Sequence, residues 1–161
     1  MQSEPQKEHA WFKQLVGDWT MEGEALMGPD QPPMKSKGFE TVGMLGEFWM
    51  VADGEAEMPG GHKGKMTMTL GYDPRKKRYV GTWVGSMMDL LFVYDGKLDA
   101  TKKILTLSTE GPSFKNPKKM AKFQDIITIK SKDHRILTSR AQGDDGKWTQ
   151  FMTMHYRRKK K

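Results

Sequence analysis

The chain is predicted to be all-β, an antiparallel up-and-down β-barrel of about ten strands preceded by one short N-terminal helix. Three observations carry this. Apolar and polar residues alternate in period-two segments that recur about every 10 to 15 residues. The segments are joined mostly by turns too short to hold a crossover helix, so sequential neighbours run antiparallel. Many sequential antiparallel strands leave two exposed edges unless the sheet closes on itself, and closure is what a barrel supplies.

The helix comes first, over residues 8–16, where Trp11, Phe12, Leu15 and Val16 fall at helical spacing and Gly17 follows as a C-terminal glycine. It is placed to cap one mouth of the barrel. Strands are then expected over Trp19–Leu26, Gly38–Leu45, Phe48–Met58, Lys65–Tyr72, Tyr79–Ser86, Leu90–Tyr94, Ile104–Thr109, Met120–Lys130, Arg135–Ala141 and Lys147–Tyr156. Asp95-Gly96 and Asp145-Gly146 suit tight turns that need positive φ, and Tyr72-Asp73-Pro74 suits a turn with proline at its second position. Gly28–Lys37, with Pro29 and the pair Pro32-Pro33, and Gly111–Lys119 read as longer loops. A length of 161 residues supports one core, so residues 1–161 are expected to form a single barrel domain.

Composition bounds the function. No apolar run approaches the roughly 18 to 20 residues that cross a bilayer, so no membrane span is expected. Met1–His9 is polar rather than basic and then apolar, unlike a secretory signal. With no cysteine the chain lacks disulfides, thiolate nucleophiles and cysteine-ligated metals, which fits a reducing, cytoplasmic setting. The formal charge is +7, with the excess late in the chain, at Lys102-Lys103, Lys118-Lys119, Lys122 and a basic tail over residues 157–161. Single-strand nucleic-acid binders interleave basic groups with exposed aromatic platforms. Here the aromatics belong to the strand alternation instead, so the charge reads as a solvated surface and nucleic acid is not an expected partner.

Several residue sets invite chemistry. The 14 methionines include Met66, Met68 and Leu70 on one strand face and Met152, Met154 and Tyr156 on another. Evenly spaced thioethers of this kind line flexible apolar interiors rather than ligate copper. Trp83 shares a face with Gly81 and Gly85, which either open space beside the indole or mark a sharp bend of the barrel. Glu22 with Glu24, and Asp53 with Glu55 and Glu57, repeat every second residue, about 6 to 7 Å apart, the pattern of a solvated polar face. Of the four histidines, His9, His62 and His134 are expected to be exposed. His155 lies in the last strand, where an inward imidazole would be a ligand for haem iron. Gly60-Gly61-His62-Lys63-Gly64-Lys65-Met66 is a turn rather than a phosphate loop, since Met66 stands where a magnesium-binding hydroxyl is required.

Phrases spread along the whole chain carry a family likeness: Leu-Gly-Tyr-Asp-Pro-Arg from Leu70, Tyr-Val-Gly-Thr-Trp-Val-Gly-Ser-Met-Met from Tyr79, Tyr-Asp-Gly-Lys-Leu from Tyr94, and Thr-Glu-Gly-Pro-Ser-Phe up to Phe114. Outside these stand Glu8-His9-Ala10-Trp11, Leu15-Val16-Gly17-Asp18-Trp19, Asp145-Gly146-Lys147-Trp148 and Tyr156-Arg157-Arg158. The sequence resembles the domain of unknown function 1579 family, a resemblance that implies architecture and no established activity. The outline of a helix and an up-and-down barrel is also similar to the calycin-like and lipocalin-like proteins that bind lipids or haem, and the function this implies is a fold-level analogy.

The expectation is non-catalytic binding of a small hydrophobic molecule in the barrel interior, lined by Met66, Met68, Trp83, Phe92, Met152 and Met154, with no cofactor. The alternative is a haem-binding protein or enzyme using the same cavity with His155 as the ligand. Met154 and His155 are adjacent on one strand and face opposite ways unless a bulge intervenes.

Overall fold

The computed structural model describes residues 3–26, 28, 30–58 and 60–160, so Pro29, Pro59 and Lys161 of the expected loops and tail lie outside the described residues. Lys7–Ala10 form α1, which tightens into a 3-10 turn over Trp11–Leu15. Ten strands follow: β1 (Gly17–Ala25), β2 (Met34–Leu45), β3 (Trp49–Glu57), β4 (Lys63–Asp73), β5 (Arg78–Gly85), β6 (Phe92–Leu98), β7 (Ile104–Pro112), β8 (Met120–Ser131), β9 (His134–Gln142) and β10 (Trp148–Arg158). Each pairs antiparallel with its successor, and β1 pairs with β10 to close the barrel.

Turn chemistry explains three of the joints. Asp73 accepts the backbone N–H of Arg75 at 3.0 Å, and Lys77 takes a left-handed φ of 54° before β5. Gly146, with φ of 82°, makes the β9–β10 turn, where Asp145 accepts the N–H of Lys147 at 2.9 Å. The Asp95-Gly96 turn is corrected: both residues lie within β6. A Cβ on Gly96 would press into Leu107 and Tyr79, so this glycine serves close strand packing. The turn comes at Asp99–Lys103 instead, where Asp99 accepts the N–H groups of Lys103 and Ile104, both at 3.1 Å, and Lys102 has φ of 61°.

Other boundaries move too. β2 begins at Met34 rather than Gly38, because Met34–Lys37 pair with Glu22–Ala25 although that stretch has little apolar alternation. Gly111 and Pro112, assigned to a loop, pair with Ala121 and Met120. The basic run from Arg157 starts inside β10, and Arg158 is pinned there by donating to the carbonyls of Val16 (2.6 Å), Gln14 (2.9 Å) and Lys132 (3.2 Å) and to Asp133 (3.2 Å).

The interior follows the strand period. Trp19 and Met21, Met50 and Ala52, Met68 and Leu70, Leu105 and Leu107, and Met154 and Tyr156 are buried pairs two residues apart. The helical segment closes the barrel end where β1 starts. Phe12 and Leu15 enter the core there, the Trp19 indole donates to the Leu15 carbonyl at 2.8 Å, and the Trp11 indole donates to the Lys102 carbonyl at 2.7 Å.

Candidate functional site

Residues that face inward at the end away from α1 form the candidate site. Direct cross-strand partners share a face, and the register runs Gly54↔Met66↔Gly85, Ala52↔Met68↔Trp83 and Trp83↔Phe92. On the other side of the barrel it runs Gly23↔Met154↔Leu137 and Ala25↔Met152↔Ser139. The structure thus places Met66, Met68, Trp83, Phe92, Met152 and Met154 on the interior face. Met68 and Met154 are buried, and the other four are half-buried nearer the mouth. The strands between them contribute small side chains, and the space a Cβ on Gly54 would enter is bounded by Met66 and by the Met21 sulfur.

The two glycines beside Trp83 do not leave a void. A Cβ on Gly81 would strike the carbonyl of Thr69 and the side chain of Leu70, so β4 and β5 approach closely there without any break in register. The place of a Cβ on Gly85 is taken by the Met87 sulfur and the Trp83 ring. Met87 also reaches Gly64, so the β5–β6 connection folds its thioether across this end of the barrel.

Deeper in, the interior also holds polar groups. Asp125 accepts from the Tyr94 hydroxyl and the Ser139 hydroxyl, each at 2.5 Å, one to each carboxylate oxygen. Burial pushes the Asp125 carboxyl above its ordinary value of 3.8, and both hydrogen bonds pull the other way. Burial, with the neighbouring Asp125, also raises the Tyr94 hydroxyl far above its ordinary range. Nearer α1, Arg135 donates to Glu40 in a buried ion pair, with its guanidinium 4.5 Å from the Trp19 ring centroid and 4.2 Å from that of Tyr156. Burial raises the Glu40 carboxyl against the pull of Arg135.

None of these polar residues was singled out from the sequence. A signal for them exists: Glu40 shares its face with Val42, Asp125 with Phe123 and Ile127, and Arg135 with Leu137, and a charged residue in phase with apolar ones faces inward.

The sign of the Asp125 shift yields a prediction. A carboxyl that binds its proton more readily when folded contributes stability in full below its ordinary value of 3.8, and loses it as pH rises through the raised folded value. Asp125→Asn keeps an oxygen for Ser139 and removes the charge. Denaturant titrations from about pH 4 to about pH 8 should then show a flatter profile than the parent and equal or greater stability at neutral pH. A variant markedly less stable at neutral pH would mean that the ionised carboxylate itself holds the site together.

His155 lies on the opposite face of β10 from Met154 and Tyr156. Its Nδ1 meets His134 Nε2 at 3.0 Å with the rings stacked, and no bulge between residues 152 and 157 turns it inward. His9, expected to be exposed, is instead 3% exposed: its Nδ1 accepts the Gln6 N–H at 2.9 Å and its Nε2 meets the Tyr72 carbonyl at 3.0 Å. The short helix is a plug rather than a surface element, which buries this ring. His62 is exposed, as are Glu22, Glu24, Asp53, Glu55 and Glu57, with Asp53 accepting from Thr67 at 2.7 Å. Among the described residues no group of three or more His, Asp or Glu side chains is arranged to hold a metal ion.

Surface cavities also flank the interior, two of them among the described residues. One of about 1050 Å³ lies at the helix end and carries Lys13, Lys132, Arg158, Lys159 and Lys160 around buried Trp19 and Arg135. The other, of about 710 Å³, lies across β6, β7 and β8 and carries Leu91, Val93, Thr109, Met120, Phe123 and Trp148 among its lining.

A family model described as protein of unknown function (DUF1579) matches residues 4–158. No curated protein matches the chain. Among solved structures, Rv2717c from M. tuberculosis is similar with a TM-score of 0.67 at 11% identity, over 98% of this chain and 100% of that one. The S-type phycobiliprotein lyase CPES from Guillardia theta gives 0.60 at 15% identity, over 98% and 99%. EF1p2_mFAP2b bound to DFHBI gives 0.51 at 15% identity, over 94% and 99%. At these identities the likeness is one of fold.

Proposed function

The chain belongs to the DUF1579 family, and from that premise and the character of its barrel interior we propose that it binds a small, largely apolar molecule inside the barrel without changing it chemically. One observation carries the reading: Met66, Met68, Trp83, Phe92, Met152 and Met154 share the interior face at the end away from α1. Thioethers repack around ligands of different shape, and small-molecule pockets are mostly apolar with a few fixed polar groups. The Asp125–Tyr94–Ser139 cluster supplies such groups. Support by analogy comes from EF1p2_mFAP2b, a protein of similar fold that binds DFHBI, and from the calycin-like outline of a helix and an up-and-down barrel. The reading invokes no cofactor and no nucleic acid. Haem held by His155 is less well supported, because that imidazole is engaged with His134 on the outer face.

Titration with a neutral apolar dye should quench tryptophan fluorescence. Met154→Lys should weaken that binding by about tenfold or more, or unfold the protein, whereas His155→Ala should do neither. If haemin binds with a Soret shift that His155→Ala removes, while Met154→Lys is tolerated, the proposed function is wrong.

A further inference from the structure

The barrel wall is incomplete between β6 and β7. Their ladder covers only Asp95–Leu98 against Leu105–Ser108. Beyond Asp95 towards the mouth, Phe92–Tyr94 are paired with β5 alone and Thr109–Pro112 with β8 alone. The missing pairs would have set Phe92 against Gly111. Instead the Phe92 ring lies beside Gly111, in the place a Cβ there would need. An aromatic side chain, rather than backbone hydrogen bonds, stands between the two strands at this point.

The cavity of about 710 Å³ follows this gap and is lined from both faces of the wall. Leu91, Val93 and Met120 are outward and 54%, 61% and 60% exposed, an apolar lip that water covers poorly. Thr109 and Phe123 are buried and come from the inward face. Among the described residues the Thr109 hydroxyl is buried with no hydrogen-bond partner, an arrangement that costs free energy unless something else satisfies it. The volume is within the range of small-molecule sites, about 300 to 1,000 Å³.

We propose that this cleft is part of the ligand site, taking an elongated amphipathic molecule with an apolar body and one hydrogen-bond-accepting end. The accepting end receives the Thr109 hydroxyl, and the apolar body lies against Phe123 and leaves past Leu91, Val93 and Met120. The inference rests on the proposed binding function and adds to it the ligand class and the route of entry.

The test uses the full chain and two fluorescent probes, parinaric acid, which carries a carboxylate, and diphenylhexatriene, a hydrocarbon. Thr109→Val removes the unpartnered hydroxyl at nearly constant shape, so its thermal stability should equal or exceed that of the parent. It should bind parinaric acid about tenfold more weakly and diphenylhexatriene as before, since a hydroxyl bond to a charged group is worth about one decade in affinity. The double substitution Leu91→Glu with Met120→Glu, at exposed positions, should slow association of both probes about tenfold, whereas Met88→Glu in the β5–β6 connection should not. Equal effects of Thr109→Val on both probes, no effect on either, or slowing by Met88→Glu but not by the pair at the lip would overturn the cleft and leave interior binding standing. A parent that takes up neither probe would overturn both.

Discussion

Glu40→Ala should destabilise the protein by about 3 to 5 kcal/mol, the cost of leaving one member of a buried ion pair without its partner. Arg135 is threaded between the rings of Trp19 and Tyr156 and gives one guanidinium nitrogen to Glu40, while its Nη1 is buried without a partner among the described residues. Losing the carboxylate would leave a cation that cannot shed its proton in a site 8% exposed. At about 2 to 4 °C per kcal/mol for a chain of this size, the transition should fall by about 6 to 20 °C. Glu40→Gln retains an acceptor and should cost less. The pair Glu40→Leu with Arg135→Met should recover most of the loss, because removing both charges removes the desolvation penalty along with the attraction. Chemical denaturation of the four proteins decides it. A loss below about 1 kcal/mol for Glu40→Ala would mean that water or a neighbouring group already neutralises Arg135.

The same residues show where sequence reading succeeds and where it stops. Alternation placed the ten strands because inward and outward positions differ in polarity along most of them, and Met68, Trp83 and Met154 share the interior face in keeping with that period. It failed for Asp95-Gly96, since a glycine needed for close packing against Leu107 looks the same in sequence as one needed for a turn. It failed at the start of β2, where Lys35 and Lys37 flank Ser36 and local polarity hid pairing with β1. The buried charges were missed for a related reason. Glu40, Asp125 and Arg135 look like surface residues one at a time, and only their phase against neighbouring apolar residues, together with partners 95 residues apart for Arg135–Glu40 and 14 apart for Ser139–Asp125, puts them inside. The β6–β7 gap has no sequence signature at all, because register across a closed barrel depends on every strand at once.

Phe12→Ala should cost a comparable 3 to 5 kcal/mol, about the usual penalty for truncating a fully buried phenylalanine. Phe12 has no exposed surface, and its ring meets Trp11 edge-on at 5.5 Å and Tyr79 at 5.7 Å between centroids. Among the described residues the Tyr79 hydroxyl is also buried without a partner, and burial pushes that group up to about 12. The helical segment should remain tethered, through the Trp11 indole on Lys102, His9 on Tyr72 and the Arg158 guanidinium on Gln14 and Val16. The expected result is a lower unfolding midpoint and faster hydrogen exchange over residues 7–15, with dye binding at the opposite end unchanged well below the transition. If Phe12→Ala removes dye binding while the barrel stays folded, the ligand occupies the helix end, and the candidate site has been placed at the wrong mouth.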